Sequence, residues 1–220
     1  MFVLSSDFML VTMPDHDLAT RYASEWTKEI VEVAERNGIK PIVVKGKSVT
    51  RSRIEKAIKE KNPNYIVFNG HGSDEIIAGH NLEPLIIMGE NHKLLKNRII
   101  HAFTCSSARV LGLNCESNAF IGYSDWFFLC MYSHSTNRPL EDKLAKPVME
   151  CAIEAPKQLA KKKTAKEAFD KSQNKYQEWI DEYTLSSSKY TTEELQIILP
   201  CLMWNKNCQV LHGNESARIA

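Results

Sequence analysis

The sequence predicts an α/β fold, a mostly parallel central sheet flanked by helices on both faces, in a single domain over residues 1–220. Three observations carry that expectation. Between Phe8 and Phe68 short apolar runs alternate with helical patterns in the order β-α-β-α-β, which right-handed crossovers turn into a parallel sheet. Tyr65 to Phe68 is apolar without alternation, as a strand covered on both faces is. No internal repeat, low-complexity tract or linker divides the chain.

The elements follow in order. Phe8 to Met13 (FMLVTM) is an apolar run stopped by Pro14 and reads as a buried first strand. Asp15 or Asp17 can cap the helix after it, because a carboxylate accepts free N–H groups of the first turn. Leu18, Tyr22, Trp26, Ile30 and Ala34 give that helix one apolar face, and Gly38 after Asn37 ends it. Pro41 to Val44 is a second strand. Thr50 or Ser52 opens a short basic helix with Ile54, Ala57 and Ile58 inward, closed by Pro63. Tyr65 to Phe68 is the third strand. Ser73 to Met88 interrupts the alternation, and two apolar segments around Gly79-His80-Asn81 predict a small hairpin between His71 and Cys105. Asn91 to Asn97 reads as a short helix, Arg98 to Phe103 as a fourth central strand, Ala108 to Leu113 as the start of a helix and Ala119 to Tyr123 as a fifth strand. Leu140 to Ala160 is helical, with Pro147 and Pro156 expected to kink or divide it. Thr164 and Glu167 form a capping box for a helix with Ala168, Phe169, Tyr176, Trp179, Ile180 and Tyr183 inward. Leu185 to Thr191 is a polar loop. Thr191 starts another helix, and Cys208 to His212 is a last strand ending at Gly213.

The chain has 43% hydrophobic and 25% charged residues and a net charge of +1. These are ordinary globular values, with no field to draw the protein to nucleic acid or a membrane surface. No apolar run reaches the roughly 18 residues of a membrane span. The apolar N-terminus MFVLSS lacks a basic leader, and the six cysteines form no C-x-x-C pair or dense framework. Reduced thiols and a cytoplasmic setting are therefore expected.

The chemistry concentrates between Asn64 and Ser107. NYIVFNGHGS and RIIHAFTCSS are two strands, each followed at once by a chemically capable residue, His71 and Cys105. Ligands of open α/β sheets gather at the carboxyl ends of the strands. If these strands are neighbours, about 4.8 Å apart, the thiol and imidazole can meet. Beside an imidazole and just before a helix, the thiolate is expected to be favoured. Gly72 lets the backbone approach a substrate, and its N–H with that of Cys105 forms an expected oxyanion hole. Such donors are worth roughly 3–4 kcal/mol each in acyl transfer. The product is a thioester acyl-enzyme cleaved by water.

The motifs NGHGS and HAFTCSS resemble those of the caspase-like, clan CD cysteine peptidases, closest to the gingipain-like and CHAT protease branches. The ending QVLHGNESA is similar to the last-strand motif of gingipain-like proteins, with Gly213-Asn214-Glu215 where Gly-Asp-Pro is usual. The caspase signature around the nucleophile is absent, since Thr104 and Ser106 flank Cys105. The resemblance extends from about Phe8 to about Gly213, but only its two short motifs are specific. It implies a caspase-like three-layer sandwich, His71 as base, Cys105 as nucleophile, and Gly72 N–H in the oxyanion hole. It also implies endopeptidase action on a peptide or protein substrate, with no cofactor and no metal in the chemistry. A separate regulator would act in trans.

Other readings stand beside this one. Asp125 is a candidate for selecting a basic substrate side chain, but it reads first as a cap for the turn before Trp126. His101 reads as a core histidine with its hydrogen bonds satisfied, and Trp126-Phe127-Phe128 as core. A zinc site from His71, His80, His101 and Cys105 lacks recurring ligand spacing. The fold also fits a non-catalytic interaction module, or a thiol hydrolase or acyltransferase acting on a non-peptide substrate.

Overall fold

The protein is described by a computed structural model covering residues 7–132, 135–186 and 189–219. The first six residues of the apolar N-terminus, and Ser187 and Ser188 of the polar loop, lie outside these residues. Five parallel strands and one antiparallel strand form the main sheet. They are β1 (Phe8–Met13), β2 (Lys40–Lys45), β3 (Tyr65–Asn69), β7 (Ile99–Phe103), β8 (Ala119–Tyr123) and β9 (Gln209–Gly213), in the order β2-β1-β3-β7-β8-β9. A second, antiparallel sheet holds β4 (His71–Gly72), β5 (Ile76–Ala78) and β6 (Pro84–Ile87). The expected hairpin is present, and His71 and Gly72 themselves add a third strand to it.

Strand alternation divides the core. Met9, Val11, Tyr65, Val67, Ile99 and Phe103 face α1 (Leu18–Arg36), α4 (Ala145–Ala160) and α5 (Ala165–Leu185). Leu10, Ile66, Phe68, Ile100 and Ala102 face α2 (Arg51–Lys61), α3 (Leu111–Asn114) and the small sheet. With both faces covered, the central strands are buried throughout. A fully buried side chain such as Phe68 or Phe120 contributes about 1.5–3 kcal/mol by leaving water. α6 (Thr192–Cys208) adds a third cluster against α4 and α5 through Ile198, Cys201 and Leu202.

Helix ends fall where side chains meet their orphan N–H groups. Thr50, Thr164 and Thr191 are N-caps, the latter two in capping boxes with Glu167 and Glu194. Of the two candidates for α1, Asp17 is the cap. α2 ends at Asn62, in the left-handed region at φ 47°, just before Pro63.

Several expectations need correction. No helix follows Cys105 directly. Ser106 has a left-handed φ of 55°, and only one helical turn, Leu111–Asn114, comes later. Ser106 N–H bonds to Asp125 O and Ala108 N–H to Tyr123 O, so the chain after Cys105 is held to the end of β8 instead. Residues 92–95 form a 3-10 turn rather than an α-helix. The helix expected from Leu140 starts at Ala145, which leaves Pro147 in its first turn where its missing N–H costs little, and only Pro156 is internal. His101 is buried, yet both ring nitrogens are without hydrogen bonds, so it is a core histidine but not a satisfied one. Burial pushes it down to about 3, which keeps it neutral. Trp126 is 66% exposed and Phe128 44%, while Phe127 alone of the three packs inward against Phe103 and Tyr123.

Candidate active site

Three neighbouring strands each deliver one group to the same edge of the sheet. In the order β1-β3-β7, Asp17 follows β1, His71 follows β3 and Cys105 follows β7. Asn69 is registered with Phe103, and His71 and Cys105 each lie two residues beyond that pair. Side chains alternate with period two. His71 and Cys105 therefore continue the rows of Asn69 and Phe103, on the face covered by α1. The N-terminus of α1 stands at that edge, which explains why its cap meets the histidine.

Asp17 uses its two oxygens separately. Oδ1 accepts the Thr20 N–H at 2.8 Å and closes the helix cap, and Oδ2 bonds His71 Nε2 at 2.5 Å. Burial would raise the Asp17 carboxyl, but the Thr20 amide, the His71 bond and the Thr20 hydroxyl outweigh it and hold it at about 2. An ionised carboxylate only accepts, so Nε2 carries the proton of the neutral imidazole. Nδ1 then carries the lone pair. Behind His71 the end of β3 is fixed by a buried network. Asn69 N–H donates to Thr12 Oγ1 at 2.8 Å, Asn69 Nδ2 donates to Thr12 O at 2.5 Å, and Thr27 Oγ1 donates to Asn69 Oδ1 at 3.1 Å.

Cys105 lies at the junction of two cavities. The smaller, about 140 Å³, is lined by His71, Gly70, Phe103, Phe127 and Leu129 and is mostly apolar. The larger, about 700 Å³, is open and lined by Gly72, Asp74, Glu75, Ser106 and Trp126. Burial pushes the Cys105 thiol up, the Phe127 N–H donating to Sγ at 3.4 Å opposes this, and the Asp125 charge adds to the rise. The expected helix-stabilised thiolate thus lacks its helix, and burial raises the thiol instead.

Gly72 closely approaches the segment that carries Cys105. An added Cβ would lie 2.7 Å from the Cys105 carbonyl oxygen and 2.9 Å from Thr104 Cβ. Ser73 and Ile76 exchange backbone bonds, at 3.0 and 3.4 Å. The next antiparallel pair, Gly72 and Ile77, is then of the non-bonded kind, and the Gly72 N–H points away from β5.

Asp125 takes the capping role: Oδ1 accepts the Trp126 N–H at 2.8 Å, and Oδ2 lies 3.9 Å from Arg109. It does not line either cavity at Cys105, whereas Asp74 and Glu75 line the open one. The zinc set drawn from His71, His80, His101 and Cys105 is not assembled. Among the described residues the group able to hold a metal is His16, Asp17 and His71, whose ligand atoms lie within 4.8 Å of one another. Sequence reasoning placed Asp17 only as a cap and passed over His16. The run Asp15-His16-Asp17 was the available signal. No helix among the described residues is long and apolar enough to cross a membrane. No protein-family model and no curated protein matches this chain.

Proposed function

We propose that this protein is a caspase-like cysteine peptidase in which Cys105 is the nucleophile, His71 the general base and Asp17 the residue that positions it. The observation that carries the reading is the delivery of Asp17, His71 and Cys105 by three adjacent strands to one edge, with the imidazole and thiol lining one cavity. A substrate enters through the open cavity. His71 Nδ1 takes the Cys105 proton as Sγ forms its bond to the scissile carbonyl carbon. The oxyanion faces the Gly72 N–H. Collapse expels the amine, which takes the proton back from Nδ1, and leaves a thioester. Water, deprotonated by the same nitrogen, cleaves the thioester and releases the acid. Glu75 on the open side favours a basic substrate side chain, while Asp74 there is paired with Arg109 at 3.4 Å and Asp125 lies 3.9 Å from the same guanidinium.

A non-catalytic module of the same fold is the competing reading, favoured by the burial that raises the Cys105 thiol. Iodoacetamide labelling resolved by mass spectrometry separates the two. In a peptidase Cys105 reacts faster than the other five thiols and slows in His71→Ala, whereas equal labelling of all six, unaffected by His71→Ala, supports the module. The raised thiol also sets the pH profile. Alkylation should keep rising above the ordinary thiol range, about pH 8.5, while a plateau from neutral pH would indicate a preformed thiolate and remove the general-base assignment. Fluorogenic peptides with Arg, Lys, Asn or Asp before the scissile bond test specificity, and preference for Asp would overturn the acidic-lining argument.

A further inference from the structure

His16 is the group at this edge that the proposed chemistry leaves unused. Its side chain is only 11% exposed, and neither ring nitrogen makes a hydrogen bond. His16 Nε2 stands 3.3 Å from Asp17 Oδ2, without hydrogen-bond geometry, and His71 Nε2 approaches the same oxygen. The His16 ring lies edge-on to His71, with centroids 5.6 Å apart, and to His80 at 5.2 Å. His80 Nδ1 is likewise buried without a hydrogen bond, 3.6 Å from Asp15 Oδ1. Two imidazoles and the Asp17 carboxylate converge, with a second aspartate, Asp15, beside His80 to help offset a dication. In a tetrahedral zinc site with bonds of about 2.0–2.1 Å, donors stand about 3.3 Å apart. The separations here bracket that value, so small side-chain rotations suffice.

We propose that His16, Asp17 and His71 form a binding site for a zinc-class divalent cation, and that the bound ion switches the thiol chemistry off through His71 Nε2. The binding half stands on the cluster alone, and the switch rests on the peptidase reading above. Its logic is tautomeric. With Asp17 on Nε2, the imidazole proton sits there and Nδ1 is the base. A cation on Nε2 needs that nitrogen's lone pair, so the neutral ring holds its proton on Nδ1. Nδ1 then cannot accept the proton of Cys105. No proton is gained or lost by the ring; it changes position.

The test uses Co²⁺ titration followed by visible absorption, and Zn²⁺ titration calorimetry, on wild type, His16→Gln and Cys105→Ala. The expectation is one ion per chain with tetrahedral Co²⁺ bands. Affinity falls about tenfold or more in His16→Gln and stays within about twofold in Cys105→Ala. Circular dichroism checks that His16→Gln is folded, with His16→Asn as the second variant. Zn²⁺ should also slow Cys105 alkylation in wild type, relative to its own metal-free rate, and not in His16→Gln. Absence of stoichiometric binding, equal binding by folded His16 variants, or loss of binding in Cys105→Ala overturns the site. If binding holds as expected but metal-free Cys105 reacts no faster than the other thiols, the site stands and the switch falls with the peptidase reading.

Discussion

The two cavities that meet at Cys105 differ in size, polarity and what they offer the sulfur. The small one, about 140 Å³, is walled by Phe103, Phe127 and Leu129 and presents one polar side chain of consequence, His71. The large one, about 700 Å³, is open and carries Asp74, Glu75 and the exposed ring of Trp126. On the proposed reading, the apolar wall beside the imidazole limits the water that can compete for the base on that side. An open acidic wall admits and orients a substrate. On that reading, proton transfer belongs to one side of the sulfur and substrate binding to the other. The difference also explains the raised thiol: desolvation from the small cavity is not repaid by a helix terminus on the large one.

The sharpest way to break this division is to remove the chemistry and leave both walls. Cys105→Ala should reduce peptide hydrolysis to background and His71→Ala should cost about 10²–10⁴-fold in kcat/KM, read with the best fluorogenic peptide; residual turnover near wild type in either variant would end the assignment. Asp17→Asn probes the small side alone. Asparagine keeps the helix cap, but its amide in place of Oδ2 donates to Nε2 and forces the proton onto Nδ1. A loss of about 10²-fold or more is expected, by the same tautomer logic as in serine proteases, with the melting temperature near neutral pH lowered by only about 2–4 °C. Gly72→Ala tests the boundary between the cavities. Its Cβ would press on the Cys105 carbonyl at 2.7 Å. Destabilisation of about 1–3 kcal/mol should follow, lowering the melting temperature by roughly 2–4 °C per kcal/mol, together with slower Cys105 alkylation.

The smallest effect is in acid. Asp17 is held at about 2 in the folded chain, against about 3.9 unfolded. The folded value is depressed, so the stabilisation is present above about pH 4 and is lost as pH falls through 2. With the Asp17 side chain 38% exposed, solvent screening reduces it to about 1 kcal/mol. Wild type and Asp17→Asn should thus converge in urea midpoint near pH 2 and separate above pH 4. A constant gap across that range would mean that the carboxylate's charge does not contribute.

What was legible in the sequence follows from local rules. Continuous apolar runs identified β3, β7 and β8, because strands covered on both faces cannot alternate. The Thr164–Glu167 box and the Thr191 cap marked helix starts through contacts three residues apart. Asp125 showed its capping role for the same reason, since its partner is the next residue. That His71 and Cys105 line one cavity was also readable, because strand ends in a parallel sheet share one rim. The lost helix after Cys105 was not. Its small residues suit a helix, but Ser106 and Ala108 bond to β8 across the sheet, and that competition exists only once β8 is in place.

Sequence by itself determined most of the elements, the α/β class and which two residues follow the central strand ends, since each depends on periodicity, caps or chain direction over short spans. Only tertiary structure decided that Asp17 serves His71 as well as its own helix, that His16 stands beside them, and that Glu75 rather than Asp125 faces the open cavity. Those relations join residues as much as 55 positions apart, His16 and His71. The physical reason is that strand order, β1 beside β3 beside β7, is set by how the whole core packs, and no short stretch of chain encodes which strands become neighbours.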